Sequence, residues 1–218
     1  MTSPYSFVIF DCDGVLVSTG PVEPDVRDLL LREQGIITDK TALTRDLYGM
    51  TNEQIWAFLE ATYGIEITPA FAERYISECH TAFETSTTAI DGSPEVVALV
   101  RSAGIPFCVA SNGPHEQMQV TLRVTGHMPH FEGAVFSAYD VPSPKPAPDL
   151  FLHAARTMGY DPAVCAVIED GPGGVQAGVA AGMQVFQYMG GGMTAAVEHP
   201  RVTTFSRMAE LPRLLGLG

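Results

Sequence analysis

Short apolar runs that alternate with helix-like stretches constrain this chain more than any other feature. Phe7-Val8-Ile9-Phe10 is continuous and stops at Asp11. A run of that kind reads as a strand buried on both faces, the state of strands in a parallel sheet. Similar runs recur at 105–110, 134–137, 164–168 and 183–186. Between them lie helix-like stretches at 94–103, 114–125, 148–158 and 173–181, followed by Gly104, Gly126, Gly159 and Gly182 as stops. Strand alternating with helix predicts an α/β fold with a doubly wound parallel sheet.

From about residue 18 to residue 88 the alternation breaks, and only helical spacing remains. Val26, Leu29 and Leu30 share one face, Ile55, Phe58 and Leu59 another, and Phe71, Tyr75, Cys79 and Phe83 recur every four residues. Roughly seventy residues are too many for an ordinary crossover or a structureless loop. The expectation is an all-helical insert at 18–88 within an α/β core formed by 1–17 and 89–218. Ser18-Thr19-Gly20-Pro21 and Thr85-Ser86-Thr87-Thr88 supply the hinges.

Charge narrows the partners. With 12 Lys and Arg against 25 Asp and Glu, the formal net charge is −13. Such a chain repels nucleic acid and anionic membranes. A small phosphorylated ligand stays open, because a few fixed cations and a metal invert the potential locally. Cys12, Cys79, Cys108 and Cys165 form no C-x-x-C pair, and three of them sit in apolar runs. They read as buried thiols of a reducing compartment and not as a zinc site. Strand-like sequence begins by Phe7, which leaves no room for a signal peptide, and no run reaches membrane-spanning length. A soluble cytoplasmic protein is expected.

Ligands of open α/β sheets bind at the carboxyl ends of the strands. There the sequence places Asp11, Asp13 and Gly14 after the first run, Ser111-Asn112-Gly113 after the second, Lys145 after the third, and Glu169-Asp170-Gly171 after the fourth. Taken singly, each has a plain reading: an acidic turn, a solvated lysine, a helix cap. Together they place polar groups on one rim behind apolar strands. Four carboxylates there repel one another unless a cation sits among them. Mg²⁺ suits this donor set, since it takes hard oxygen ligands and shares them with water and phosphate. The chemistry favoured is attack by a carboxylate on phosphorus.

These residues carry a resemblance. Phe10-Asp11-Cys12-Asp13-Gly14-Val15-Leu16, Ser111-Asn112, Lys145-Pro146-Ala147-Pro148-Asp149 and Glu169-Asp170 resemble, in order, the four motifs of the haloacid dehalogenase superfamily. The insert resembles that superfamily's small helical cap. Within it the chain is similar to the phosphatase and β-phosphoglucomutase branch. Ser111-Asn112-Gly113-Pro114, 136–140 and 199–205 are particularly similar to bacterial 6-phosphogluconate phosphatases. The resemblance implies a Mg²⁺-dependent phosphatase working through an aspartyl phosphate on a small phosphorylated metabolite, such as 6-phosphogluconate or a sugar phosphate. Asp11 would be nucleophile and metal ligand. Asp13 would be general acid and base, binding the metal through its backbone carbonyl. Ser111, the Asn112 amide and Lys145 would hold the phosphoryl group, with Glu169 and Asp170 completing the metal site.

The chain departs from the family pattern at Ser18-Thr19-Gly20, in place of Asp-Ser-Glu, and at Gly171, in place of Ser or Thr. Glu23 and Asn52 stand where the mutases carry a histidine and an arginine. Lacking those groups disfavours a sugar-phosphate mutase. The order of the acidic motifs disfavours a receiver-type phospho-acceptor domain, and Asp13 disfavours a metal-free dehalogenase. The insert's five basic residues, Arg27, Arg32, Lys40, Arg45 and Arg74, face 12 acidic ones. If the substrate bears a second anion, one of the five meets it. Arg45, just before Gly49, is the candidate, with His115 beside the Ser111 loop. Three other features read as structural: Gly171-Pro172-Gly173-Gly174 as close helix–strand packing, Gly190-Gly191-Gly192 as a flexible loop, and His127 and His130 as surface histidines.

Overall fold

The computed structural model describes residues 3–191 and 195–217. Gly192 of the triple-glycine run lies outside them. The chain begins with β1 (Phe7–Phe10) and β2 (Val17–Ser18), then runs through helices α1 (Val22–Glu33), α2 (Lys40–Asp46), α3 (Asn52–Tyr63) and α4 (Pro69–Ser86). After β3 (Thr88–Ala89), strands and helices alternate: α5 (Ser93–Ser102), β4 (Phe107–Ser111), α6 (His115–Val124), β5 (Val135–Ser137) and α7 (Asp149–Met158). The alternation continues through β6 (Cys165–Glu169), α8 (Pro172–Ala180), β7 (Gln184–Tyr188), β8 (Val202–Phe205) and α9 (Leu211–Leu214).

Among the described residues, six strands form one parallel sheet in the order β5-β4-β1-β6-β7-β8. All five apolar runs are therefore strands. The sixth, β8, escapes the same criterion because Thr203 and Thr204 interrupt it at the sheet's edge. Two-residue strands β2 and β3 pair antiparallel where the helical insert leaves and rejoins the sheet. Chain order turns at β1: β4 and β5 lie to one side, and β6, β7 and β8 to the other. That reversal opens a crevice at the carboxyl ends of β1, β4 and β6.

The alternation of β1 divides the core. Val8 and Phe10 join α5, α6 and α9 on one face of the sheet, and Phe7 and Ile9 join α7 and α8 on the other. Burying each of these side chains contributes about 1.5–3 kcal/mol. In the insert, Val22, Val26 and Leu30 of α1 pack on Tyr75, Cys79 and Phe83 of α4. Leu29 is left 45% exposed, so the packed stripe of α1 is narrower than the sequence suggests. A second cluster gathers Leu31, Leu43, Leu47, Ile55 and Leu59. Local signals start these helices: Asp39 caps α2, Thr51 and Gln54 form a capping box on α3, and Thr68 caps α4 ahead of Pro69. No described helix is long and apolar enough to cross a membrane.

His127 corrects the expectation of a surface histidine. It is 1% exposed and lies 3.1 Å from Ser93 Oγ and 2.9 Å from Thr125 Oγ1. Ser93 Oγ in turn donates to the Leu16 carbonyl, fixing the turn that follows Asp13. Burial, assisted by His130, pushes the His127 pKa down to about 4. A histidine held neutral by folding contributes stability above its unfolded pKa near 6.5, and that stability is lost as pH falls toward 4. We expect roughly 3 kcal/mol from this residue to disappear between pH 7 and pH 4. In urea melts His127→Gln should lose correspondingly less over that interval; an unchanged pH slope would contradict the assignment.

Candidate active site

Asp11 is the first residue past β1, and its N–H donates to the Ile168 carbonyl at 2.9 Å. The chain then turns at once. Leu16 and Val17 donate to the Cys12 carbonyl, and Gly14 adopts φ +84°. A β-carbon on Gly14 would stand 2.2 Å from Asp170 Oδ2, so both conformation and space require glycine there. Glu169 ends β6, with Asp170 next along the chain. Carboxylate oxygens of Asp11, Glu169 and Asp170 lie within 4.8 Å of one another, all three residues buried.

A cation stands among them. Lys145 Nζ donates to Asp11 Oδ1 at 2.6 Å, to Glu169 Oε1 at 2.9 Å and to the Ala110 carbonyl at 3.0 Å. The ammonium also lies 4.7 Å from the centre of the Phe151 ring. Burial opposes its charge, but Asp11 and Glu169 outweigh burial and hold Lys145 above its ordinary range. Asn112 fixes its backbone: Oδ1 accepts from the Lys145 N–H at 3.0 Å, and Nδ2 donates to the Lys145 carbonyl at 3.2 Å. Ser111, buried at the end of β4, accepts from the Gly113 N–H at 3.1 Å.

The carboxylates carry more negative charge than the protein balances. Burial, with a contribution from Glu169, pushes Asp11 up to about 7 despite Lys145. Asp170 is raised well above the carboxylate range by burial and by Glu169 and Asp11. Asp13 is raised well above it too, by burial and by Glu23 and Asp11, and its Oδ1 is buried without a hydrogen-bond partner. Three clustered carboxylates against one ammonium leave two negative charges, the deficit one hard divalent cation removes. The donor set therefore fits such an ion.

The sequence-predicted residues Asp11, Lys145, Glu169, Asp170 and Asn112 thus meet at one site, with Asp13 and Ser111 on its adjoining turns. Two others do not join them. Arg45 is exposed and paired with Asp46, and His115 pairs with Asp140. The segment beside Arg45 does reach the rim, but through other groups. Tyr48 donates its hydroxyl to Asp170, the Gly49 carbonyl accepts from Asn112 Nδ2 at 2.8 Å, and Glu53 accepts from Tyr139 at 2.8 Å. Tyr48 has no charged or motif signature, so the sequence does not single it out. Gly174 meets the packing reading given for the glycines after β6, since a β-carbon there would stand 1.6 Å from Glu169 Oε1.

Comparison with known proteins places this geometry. A 6-phosphogluconate phosphatase of Escherichia coli (strain K12) is 32% identical over 208 residues, covering 95% of this chain and 93% of that protein. Hexitol phosphatase A of the same organism is 29% identical over 188 residues, 81% of this chain and 80% of that protein. A solved hydrolase of Deinococcus radiodurans R1, holding phosphate and sodium, is 29% identical with a TM-score of 0.72 and covers 99% of this chain and 98% of that one. The family model of the haloacid dehalogenase-like hydrolases matches residues 5–182. The chain belongs to the haloacid dehalogenase-like hydrolase family.

Proposed function

We propose that this protein is a Mg²⁺-dependent phosphomonoester hydrolase that acts through an aspartyl phosphate on Asp11. The observation that carries the reading is the Lys145 ammonium bridging Asp11 and Glu169 inside a buried carboxylate cluster. Asp11, Glu169, Asp170 and the Asp13 carbonyl would hold the ion. When bound, Mg²⁺ supplies charge neutralisation to the phosphoryl group and to the attacking carboxylate.

The remaining chemistry belongs to the chain. An Asp11 oxygen attacks phosphorus, and the bond from phosphorus to the ester oxygen breaks. Asp13 gives the departing alkoxide its proton, then takes one from the water that opens the acyl phosphate, returning Asp11 and freeing phosphate. The raised pKa of Asp13 suits a carboxyl that must arrive protonated. Lys145, Ser111 and the Asn112 amide offset the charge on the phosphoryl oxygens. Residues 18–88 act as a cap domain that closes over a core of 1–17 and 89–218, hinged at the β2–β3 ladder. Relatives named for 6-phosphogluconate and for hexitols support a small phosphorylated sugar or sugar acid as substrate.

Phosphate release from p-nitrophenyl phosphate tests the reading. EDTA should abolish it and Mg²⁺ restore it, while Mg²⁺ raises Tm as the carboxylates find their counter-charge. Turnover indifferent to chelation would refute the metal assignment.

A further inference from the structure

The structure sorts the insert's five cations. Arg32 pairs with Asp28, Lys40 with Asp25, Arg45 with Asp46, and Arg74 with Glu33 and Glu78, all on the surface. Arg27 differs. It is 4% exposed, forms no ion pair among the described residues, and its Nη1 is buried without a hydrogen-bond partner. Tyr75, 2% exposed on α4, feels the charge of Arg27, and its buried hydroxyl has only the Cys79 thiol, a weak acceptor, to turn to. A buried donor left unmade is costly, and the bare Nη1 of Arg27, with a weakly held hydroxyl in its field, marks a place where an acceptor is missing.

Their position relates them to the reacting centre. Glu23, one turn before Arg27 on α1, interacts electrostatically with Arg27, with Tyr75 and with Asp13. Gln117 lies against Glu23 and borders the phosphate loop, its Cδ 3.6 Å from where a β-carbon on Gly113 would stand. Arg27 and Tyr75, on the facing helices α1 and α4, are thus linked through Glu23 to Asp13 and, by way of Gln117, to the Ser111–Gly113 turn.

We propose that Arg27 and Tyr75 form a subsite for a carboxylate on the part of the substrate remote from its phosphate. The inference rests on the phosphatase reading. A carboxylate offers acceptors to a guanidinium and a hydroxyl at once, and it neutralises a cation that has no ion pair among the described residues. A neutral hydroxyl makes only the weaker, uncharged hydrogen bond to the guanidinium. A second phosphate would set two negative charges beside Glu23 and Asp13.

The test compares kcat/KM for 6-phosphogluconate with that for glucitol 6-phosphate, which keeps the phosphate and the chain length but ends in a hydroxymethyl group. The ratio of the two does not depend on how much of a variant is folded. The wild type should favour the acid by about 10-fold or more, and Arg27→Gln should lower the ratio by about 10- to 100-fold, mainly through KM. Tyr75→Phe should lower it less, and Arg27→Lys should fall between Arg27→Gln and the wild type. A ratio untouched by either Arg27 substitution, or a wild type without preference, overturns the subsite. p-Nitrophenyl phosphate separates the two ideas: its hydrolysis without acid preference sinks only the subsite, whereas no hydrolysis of any ester sinks the phosphatase reading beneath it.

Discussion

Asp11→Asn should release phosphate from p-nitrophenyl phosphate about 10⁴-fold more slowly than the wild type, or slower still. The substitution keeps the shape of the side chain and leaves an oxygen to accept from Lys145. What it removes is the nucleophilic oxygen pair and one of three crowded charges. Because burial holds Asp11 up to about 7, the folded protein without a cation bears a cost for its ionised form. The variant should therefore melt no lower than the wild type in EDTA, by a margin that grows as pH rises from about 4 to about 7 and then levels off. Wild-type turnover by a folded Asp11→Asn protein would remove Asp11 from the role given to it.

Lys145→Met should lower stability as well as turnover. Methionine preserves the packing on Phe151, but Asp11 and Glu169 lose their counter-charge and the Ala110 carbonyl loses a donor. Breaking a buried pair by deleting one partner costs about 3–5 kcal/mol, because an uncompensated charge stays behind. The sign with pH follows from the partners. Asp11 and Asp170 are already raised, and losing the ammonium raises them further. The deficit should be smallest near pH 5, where they protonate, and should grow as pH rises. Urea melts at the two extremes measure it. A variant equally destabilised at both would mean that lost packing, and not charge, is the cause.

Much of this site is legible in the sequence because its members announce themselves by contrast. Asp11, Ser111, Glu169 and Asp170 follow runs that are otherwise wholly apolar, and parallel strands send such residues to one rim. The helical insert is legible for the opposite reason, the loss of strand spacing over a long interval. What escapes is whatever depends on three-dimensional neighbours. Arg27 and Arg45 are equivalent as letters; only folding buries one with its Nη1 left without a hydrogen bond and pairs the other with Asp46. Tyr48 is one aromatic among many until its hydroxyl reaches Asp170. It also gives the departure at Gly171 a physical reason, since a β-carbon there would stand 3.3 Å from Tyr48 Cε1. Thr203 and Thr204 dilute an edge strand below the apolar pattern that betrays the others.

The links from Tyr48, Gly49 and Glu53 to the sheet side have a kinetic consequence. They all arise from six successive residues between α2 and the first turn of α3, while the ion pair from Arg123 to Glu84 ties α6 to α4 through different residues. One rearrangement of that short connection unfastens three bonds together and leaves the other tie in place. On the proposed reading, in which residues 18–88 close over the core, admission of an ester and departure of its products would share a single cooperative latch, tunable in rate by editing a handful of side chains without touching the groups that break the ester bond.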